Sequence, residues 1–196
     1  MLNAPINPST QDLFIAGIDK LRNAGATEIH IGMNSPGGEV DAAQAIVDYM
    51  ARVYIQNSIT FKAYNLGVVA SAATYVFLNA QSRYSVARGV FLFHAAGAVS
   101  SGPVNAQNMH EQADKLDAYE RTVRATLKAR TKLTDAEAQT YVRRTVMLNS
   151  DDALRDGVVD GIADLAVAFP KGARHWVIAG NPKPSRPAPP VPNPPG

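Results

Sequence analysis

The sequence predicts an α/β fold in which crossover connections build a largely parallel sheet. Two observations predict it. Up to residue 93 the hydrophobic pattern switches between helical and strand periods, giving strand–helix–strand–helix–strand order after an opening helix. Strands separated by helix-length segments return in the same direction, so they pair in parallel. The second observation is bulk. At 196 residues, with 46% hydrophobic and 18% charged side chains, the chain can bury a substantial core as one domain.

Each element follows from local chemistry. Asn7-Pro8 starts the first helix, since proline is tolerated in a first turn. Leu13, Phe14, Ile18 and Leu21 then recur at helical spacing, and Gly25 ends the segment. Residues 28–33 alternate, with Ile29, Ile31 and Met33 on one face of a strand. The turn Ser35-Pro36-Gly37-Gly38 leads into a helix from about Glu39 to Val53, which buries Val40, Ala43, Ile46, Tyr49, Met50 and Val53. Ile59 to Tyr64 reads as a strand, and the small residues after Gly67 as a buried helix beginning near Ser71. Residues 84–87 and 90–93 read as strands around Arg88-Gly89.

A Gly/Ser-rich loop at 95–103 precedes a long amphipathic helix, in which Met109, Ala113, Leu116, Tyr119 or Glu120, Val123 and Leu127 recur every three or four residues. Thr134-Asp135-Ala136-Glu137 starts another helix. Asn149-Ser150-Asp151-Asp152 caps a short one that stops at Gly157, and Val158, Val159 and Ile162 form a last strand. Residues 1–180 make the predicted domain. Residues 181–196, half of them proline, cannot form a packed core, so an extended or disordered tail is expected.

Composition removes several classes of function. The formal net charge is only +2, without the basic stripe of a nucleic-acid binder. With no cysteine there is no disulfide framework, thiol nucleophile or Cys-ligated metal. The four histidines are scattered without ligand spacing, and neither a P-loop nor a dinucleotide fingerprint occurs, so no metal and no cofactor is expected. No apolar run approaches the roughly 18 residues that span a membrane. The N-terminus lacks a basic n-region and a long apolar h-region. A soluble cytoplasmic protein is the expectation.

Three segments carry chemistry. Ser71 sits in Gly67-Val68-Val69-Ala70-Ser71-Ala72-Ala73-Thr74, at a predicted helix start where free N–H groups favour negative charge. A serine hydroxyl needs a base to take its proton and donors for the oxyanion that forms. The ordinary role of a lone serine at such a place is an N-cap. His94 closes the apolar run Val90-Phe91-Leu92-Phe93 and opens into a flexible loop, which suits a base reaching a pocket. The alternative is a satisfied, half-buried histidine, as read for His30, while His110, in a charged helix, and His175, in a late segment, are read as structural. The pair Gly37-Gly38, between a strand and a helix, can adopt positive φ and bring N–H groups to a bound oxygen. By itself it does not choose between an acyl oxyanion, a thioester enolate and a phosphate.

Four segments in order resemble the Clp protease proteolytic subunit (ClpP) family over roughly residues 8–165. They are Met33-Asn34-Ser35-Pro36-Gly37-Gly38, the Ser71 segment, Phe91-Leu92-Phe93-His94, and Asp151-Asp152-Ala153-Leu154-Arg155-Asp156-Gly157-Val158-Val159-Asp160. The resemblance implies a ClpP/crotonase-like fold of repeated strand–helix units, with a protruding handle helix near 104–130. It implies a serine-type endopeptidase acting on peptides or unfolded proteins. Ser71 would be the nucleophile, His94 the general base, and the N–H groups of Gly38 (or Gly37) and Ala72 the oxyanion hole. It also implies a homo-oligomeric ring, a heptamer or stacked heptamers, with the apolar stripe of the long helix at the ring–ring contact.

The sequence departs from the family in two places. Counting back from Gly157, the position of the triad acid is Thr145, which can accept a hydrogen bond but carries no charge. Replacing a triad carboxylate by an amide costs about 10⁴ in rate. Asp151 or Asp152 would substitute only in a rearranged loop, and helix capping is the simpler role of both. At the other end, seven residues precede the first helix, where the family carries an axial loop and a first strand, so ATPase docking is left open. A catalytically impaired structural or regulatory subunit is the second reading, favoured by Thr145. A crotonase-type acyl-thioester enzyme is the third. It would need no Ser–His pair, so Ser71 with His94 argues against it.

Overall fold

A computed structural model describes residues 1–97, 105–163 and 178–179 of the chain. In order, the elements are β1 (Leu2–Asn3), α1 (Pro8–Asn23), β2 (Glu28–Ser35), α2 (Val40–Asn57), β3 (Thr60–Ala70), α3 (Ala72–Leu78), β4 (Ser82–Ser85) and β5 (Val90–Phe93). There follow α4 (Ala106–Arg130), α5 (Asp135–Arg143), β6 (Val146–Asn149), α6 (Ser150–Arg155), β7 (Gly161–Ile162) and β8 (Ile178–Ala179).

One sheet runs in the order β6-β5-β3-β2-β1-β8. All of its pairings are parallel except β5 with β6. Strand β3 is shared. Its first half, Lys62 to Asn65, pairs with β4, and its second half, Val68 to Ala70, pairs with β5. Strand β7 extends the β4 branch. The α/β fold read from the pattern is the fold observed.

Burial explains why these segments hold. Ile29, Ile31 and Met33 of β2 and Ala43, Ile46, Met50 and Val53 of α2 are buried in one hydrophobic cluster. Helix α3 is buried along its whole length, which its small first residues allow. The caps are local. The Asn7 side chain accepts from the Thr10 N–H while the Thr10 hydroxyl accepts from the Asn7 N–H, and Thr134 with Glu137 repeats that box at α5. Helix α4 is buried only toward its C-terminal half, at Val123 and Leu127, and Met109 near its start is 60% exposed. Among the described residues, no helix is long and apolar enough to cross a membrane.

The structure corrects several boundaries. Helix α2 continues past Val53 to Asn57 and stops where Ser58 turns left-handed. Strand β3 runs on to Ala70 instead of ending near Tyr64, because a bulge carries it through Gly67. The strand expected at 84–87 lies at Ser82–Ser85, and Val158 and Val159 are buried outside any strand, leaving β7 only Gly161–Ile162. Three elements escaped the pattern, among them β8 at Ile178–Ala179, which pairs with β1. Strand β1 lies within the seven residues before α1, so a first strand is retained, and β6 is the antiparallel edge beside β5. His175, residues 98–104 of the expected loop, the boundary at 180 and the 181–196 tail lie outside the described residues.

Candidate active site

Ser71 joins β3 to α3. Ala70 pairs with Leu92 of β5 as the last rung, and the Ser71 N–H donates to the Leu92 carbonyl at 2.8 Å. The Ser71 backbone has φ 53° and ψ -130°, a region that suits glycine. A serine there costs about 1–3 kcal/mol. The Ser71 carbonyl holds the turn by accepting from the Thr74 N–H at 2.9 Å and the Thr74 hydroxyl at 2.7 Å. Its hydroxyl makes no cap hydrogen bond to α3, so the ordinary N-cap role is not the one it plays.

His94 follows Phe93 at the end of β5, so Ser71 and His94 close two adjacent parallel strands. The imidazole is exposed, with Nδ1 2.7 Å from the Ala95 carbonyl oxygen. A carbonyl only accepts, so this contact assigns the proton to Nδ1 and leaves Nε2 as the basic nitrogen. The β5–β6 register ends at Phe93 with Val146, so His94 and Thr145 are the residues that flank its last pair. Among the described residues, no hydrogen bond joins Ser71, His94 and Thr145 to one another.

Asp151 and Asp152 start α6, beyond the far end of β6, where Asn149 pairs with Val90. That is four residues of strand from Thr145, about 13 Å at the usual rise. Asn149 caps the Asp152 N–H, and Asp152 Oδ1 lies 2.5 Å from Arg155 Nη1. Both aspartates belong to the helix start. Asp156 accepts from the Tyr141 hydroxyl at 2.6 Å and pairs with Arg155, while Asp160 pairs with Arg83. Among the described residues, no carboxylate hydrogen-bonds His94.

The glycine turn lies over the serine. Gly37 has φ 89°, and a Cβ built on it would meet the Ala70 carbonyl oxygen at 2.5 Å, the Ser71 Cβ at 2.6 Å and the Ala72 nitrogen at 3.0 Å. The buried Ser35 hydroxyl donates to the Ala4 carbonyl at 2.7 Å and accepts the Gly37 N–H at 3.3 Å. Ile6 binds the Gly37 carbonyl and the Glu39 N–H, so the Gly38 N–H points to the opposite side of the chain. Among the described residues, neither the Gly38 nor the Ala72 N–H has an acceptor.

His30 stands apart in a surface ladder. It stacks on Tyr64 at 5.6 Å, its Nδ1 lies 2.9 Å from the Tyr64 hydroxyl, and its Nε2 lies 2.8 Å from Glu28 Oε1. The hydrogen bond from Lys62, joined by that of His30, holds the Glu28 carboxyl below the usual carboxylate range. His110 lies on α4. Among the described residues, no three His, Asp or Glu side chains converge on a point that could hold a metal ion.

The Clp protease family model matches residues 1–166. The chain belongs to the Clp protease family. No curated protein sequence matches it. A solved structure, a mutant of ClpP1 from Listeria monocytogenes, has a TM-score of 0.73 and 19% sequence identity, covering 85% of this chain and 91% of that one. At that identity the likeness is one of fold, the ClpP fold of mixed α/β type. Membership gives a Clp protease-type function, the hydrolysis of peptide bonds in peptide or protein substrates. The sequence reading missed the two asparagines, Asn34 and Asn65, that shape the strand leading to Ser71, and the Ala95 carbonyl beside His94. Asn34 lies inside the quoted motif, but only the register of β2 against β3 reveals its partners.

Proposed function

We propose that this Clp protease-family chain is a serine-type endopeptidase in which Ser71 attacks the scissile carbonyl. The Ser71 backbone, at φ 53° and ψ -130°, carries the reading. Strain of that kind persists where the surroundings enforce it, and here it frees a hydroxyl from helix capping. His94 takes the Ser71 proton on Nε2 as the Oγ–C bond forms, then returns it to the leaving amine as the C–N bond breaks. The N–H groups of Gly38 and Ala72 stabilise the oxyanion. Gly37 serves through its closeness to Ser71, since its own N–H is bound to Ser35.

Thr145 stands at the acid's position without a charge. The Ala95 carbonyl orients the imidazole instead, but a neutral acceptor stabilises an imidazolium less than a carboxylate does. Slow turnover follows. Thr145 favours a second reading, a catalytically impaired subunit that acts as a structural or regulatory member of a ring. Substrates are peptides or small unfolded chains, and the working form is a ring of copies. Ring–ring packing on the exposed half of α4, around Met109 and Ala113, fits the family's assembly. Cleavage of short peptides requires no ATPase partner and no cofactor under this reading.

A fluorophosphonate probe tests it. Wild-type labelling that disappears in Ser71→Ala and slows in His94→Ala is the expected result. Labelling that survives Ser71→Ala removes the nucleophile assignment. A wild type that takes no label favours the impaired subunit.

A further inference from the structure

Strands β2 and β3 slip against each other just before the site. Met33 pairs with Asn65, but Ser35 pairs with Val69, so β3 spends four steps where β2 spends two. Leu66, Gly67 and Val68 all face the single residue Asn34, and such a bulge costs the strand its regular ladder partners. Two side chains replace them. Asn34 Oδ1 accepts the Val68 N–H at 3.0 Å, and Asn65 Oδ1 accepts the Gly67 N–H at 3.0 Å. Both amides are anchored behind. Asn34 Nδ2 donates to Asn3 Oδ1 of β1 at 2.8 Å, and Asn65 Nδ2 donates to the Val90 carbonyl at 3.0 Å. The fit is close, since a Cβ at Gly67 would lie 2.9 Å from Asn34 Oδ1.

The consequence lies downstream. Three residues after Asn34 comes Gly37, and three residues after Val68 comes Ser71. Gly37 and Ser71 are the pair in contact at the site. The Asn34–Val68 hydrogen bond is therefore the cross-tie of a short frame with the proposed oxyanion turn on one side and the serine on the other. Resting on the proposed role of Ser71, we propose that Asn34 is a positioning residue: its carboxamide fixes the β3 bulge and thereby sets the Gly38 N–H against the Ser71 hydroxyl. Asn34 touches no reacting atom. It acts through geometry, where a misplacement of about 1 Å costs on the order of 100-fold in rate.

The test uses the full chain and measures two quantities with a fluorophosphonate: the acylation rate per labelled site and the final labelling stoichiometry. Asn34→Ala is expected to label to wild-type stoichiometry at a rate roughly 10- to 100-fold lower. A merely structural role would lower stoichiometry or thermal midpoint and leave the rate per labelled site unchanged. Asn34→Asp keeps an acceptor for Val68, and the Asn3 amide can turn its NH₂ toward the carboxylate, so its rate should stay within about threefold of wild type. Should Asn34→Ala fail to fold, Asn3→Ala removes only the anchor, and a rate about threefold to tenfold lower is expected. A folded Asn34→Ala, or in its place Asn3→Ala, that acylates at the wild-type rate overturns the proposal alone. A wild type that never labels overturns the reading of Ser71 and this proposal with it.

Discussion

Gly37 rests directly on Ser71, so close that a Cβ at position 37 would come within 2.6 Å of the Ser71 Cβ. The contact joins the two segments that carry the proposed chemistry, and it leaves room for nothing larger than hydrogen. Gly37→Ala must push the turn off the serine and must also hold alanine at φ 89°. The expected outcome is at least a 100-fold loss of fluorophosphonate reactivity, with a destabilisation of about 1–3 kcal/mol. Near-normal reactivity in a folded Gly37→Ala protein would separate the turn from the reaction.

The strain at Ser71 makes a prediction about stability that runs against activity. Glycine takes φ 53° and ψ -130° without penalty, so Ser71→Gly releases about 1–3 kcal/mol of strain. It loses about 0.4–1 kcal/mol to the freer unfolded chain. The net gain is on the order of 1 kcal/mol, or roughly 2–4 °C in Tm for a chain of this size. Ser71→Ala keeps the Cβ and should stay close to wild type. Calorimetry of the three proteins distinguishes them, and equal midpoints for Ser71→Gly and Ser71→Ala would mean that the backbone carries no such strain.

Thr145 sets the expected ceiling on rate. It flanks the last β5–β6 pair, Phe93 with Val146, as His94 does on the other strand, so Thr145→Asp puts a carboxylate at the position proposed for the acid. If the Ala95 carbonyl is the weaker substitute, peptidase activity should rise by about tenfold or more, within the roughly 10⁴ that a triad carboxylate provides. Steady-state cleavage of a short fluorogenic peptide measures it. Unchanged or lower activity would show that residue 145 and His94 do not work together.

Much of this architecture was legible because its elements carry their period in sequence. Ile29, Ile31 and Met33 alternate, the α2 core residues fall at helical spacing, and Asn7-Pro8 and Thr134-Asp135-Ala136-Glu137 announce helix starts. Strands β1 and β6 were not legible. Two or four residues hold no period, and their pairing is supplied by neighbours distant in sequence. The bulge of β3 was hidden for the same reason. Gly67 signals an irregularity, but that Asn34 and Asn65 satisfy it is a property of register. The identities of Ser71, His94 and Thr145 came from motif order. That they sit just beyond the ends of β3, β5 and β6 came from the sheet.

Arg83 offers a test away from the site. Its side chain is 7% exposed and leans on Asp160, with Nη2 3.3 Å from Oδ1, while Nε and Nη1 have no partner among the described residues. Burial lowers the guanidinium's pKa, and the Asp160 carboxylate works against that shift. Asp160→Ala would leave a buried, uncompensated cation and should destabilise by about 2–4 kcal/mol. Arg83→Met with Asp160→Ala, which removes both charges, should be milder than Asp160→Ala alone. Denaturant midpoints decide, and a double variant less stable than Asp160→Ala would mean that the arginine is stabilising in its own right.

Acid stability follows from the paired carboxylates. Arg124 and Lys128 hold Asp135 below the usual carboxylate range, Thr134 does the same for Glu137, and Lys62 for Glu28. At Asp156 burial works in the other direction, but the Arg155 and Tyr141 hydrogen bonds outweigh it and the net shift is downward. A carboxyl whose folded pKa is depressed binds fewer protons folded than unfolded. Its contribution is complete above the unfolded value of about 4 and fades as pH falls through the folded one. Tm should therefore be flat with respect to these groups from about pH 5 to 8 and fall below about pH 4. Asp156→Asn removes one of them, so its Tm should lie closer to wild type at pH 3 than at pH 6. A difference that stays constant across this range would mean that Asp156 acts through packing alone, with its charge contributing nothing.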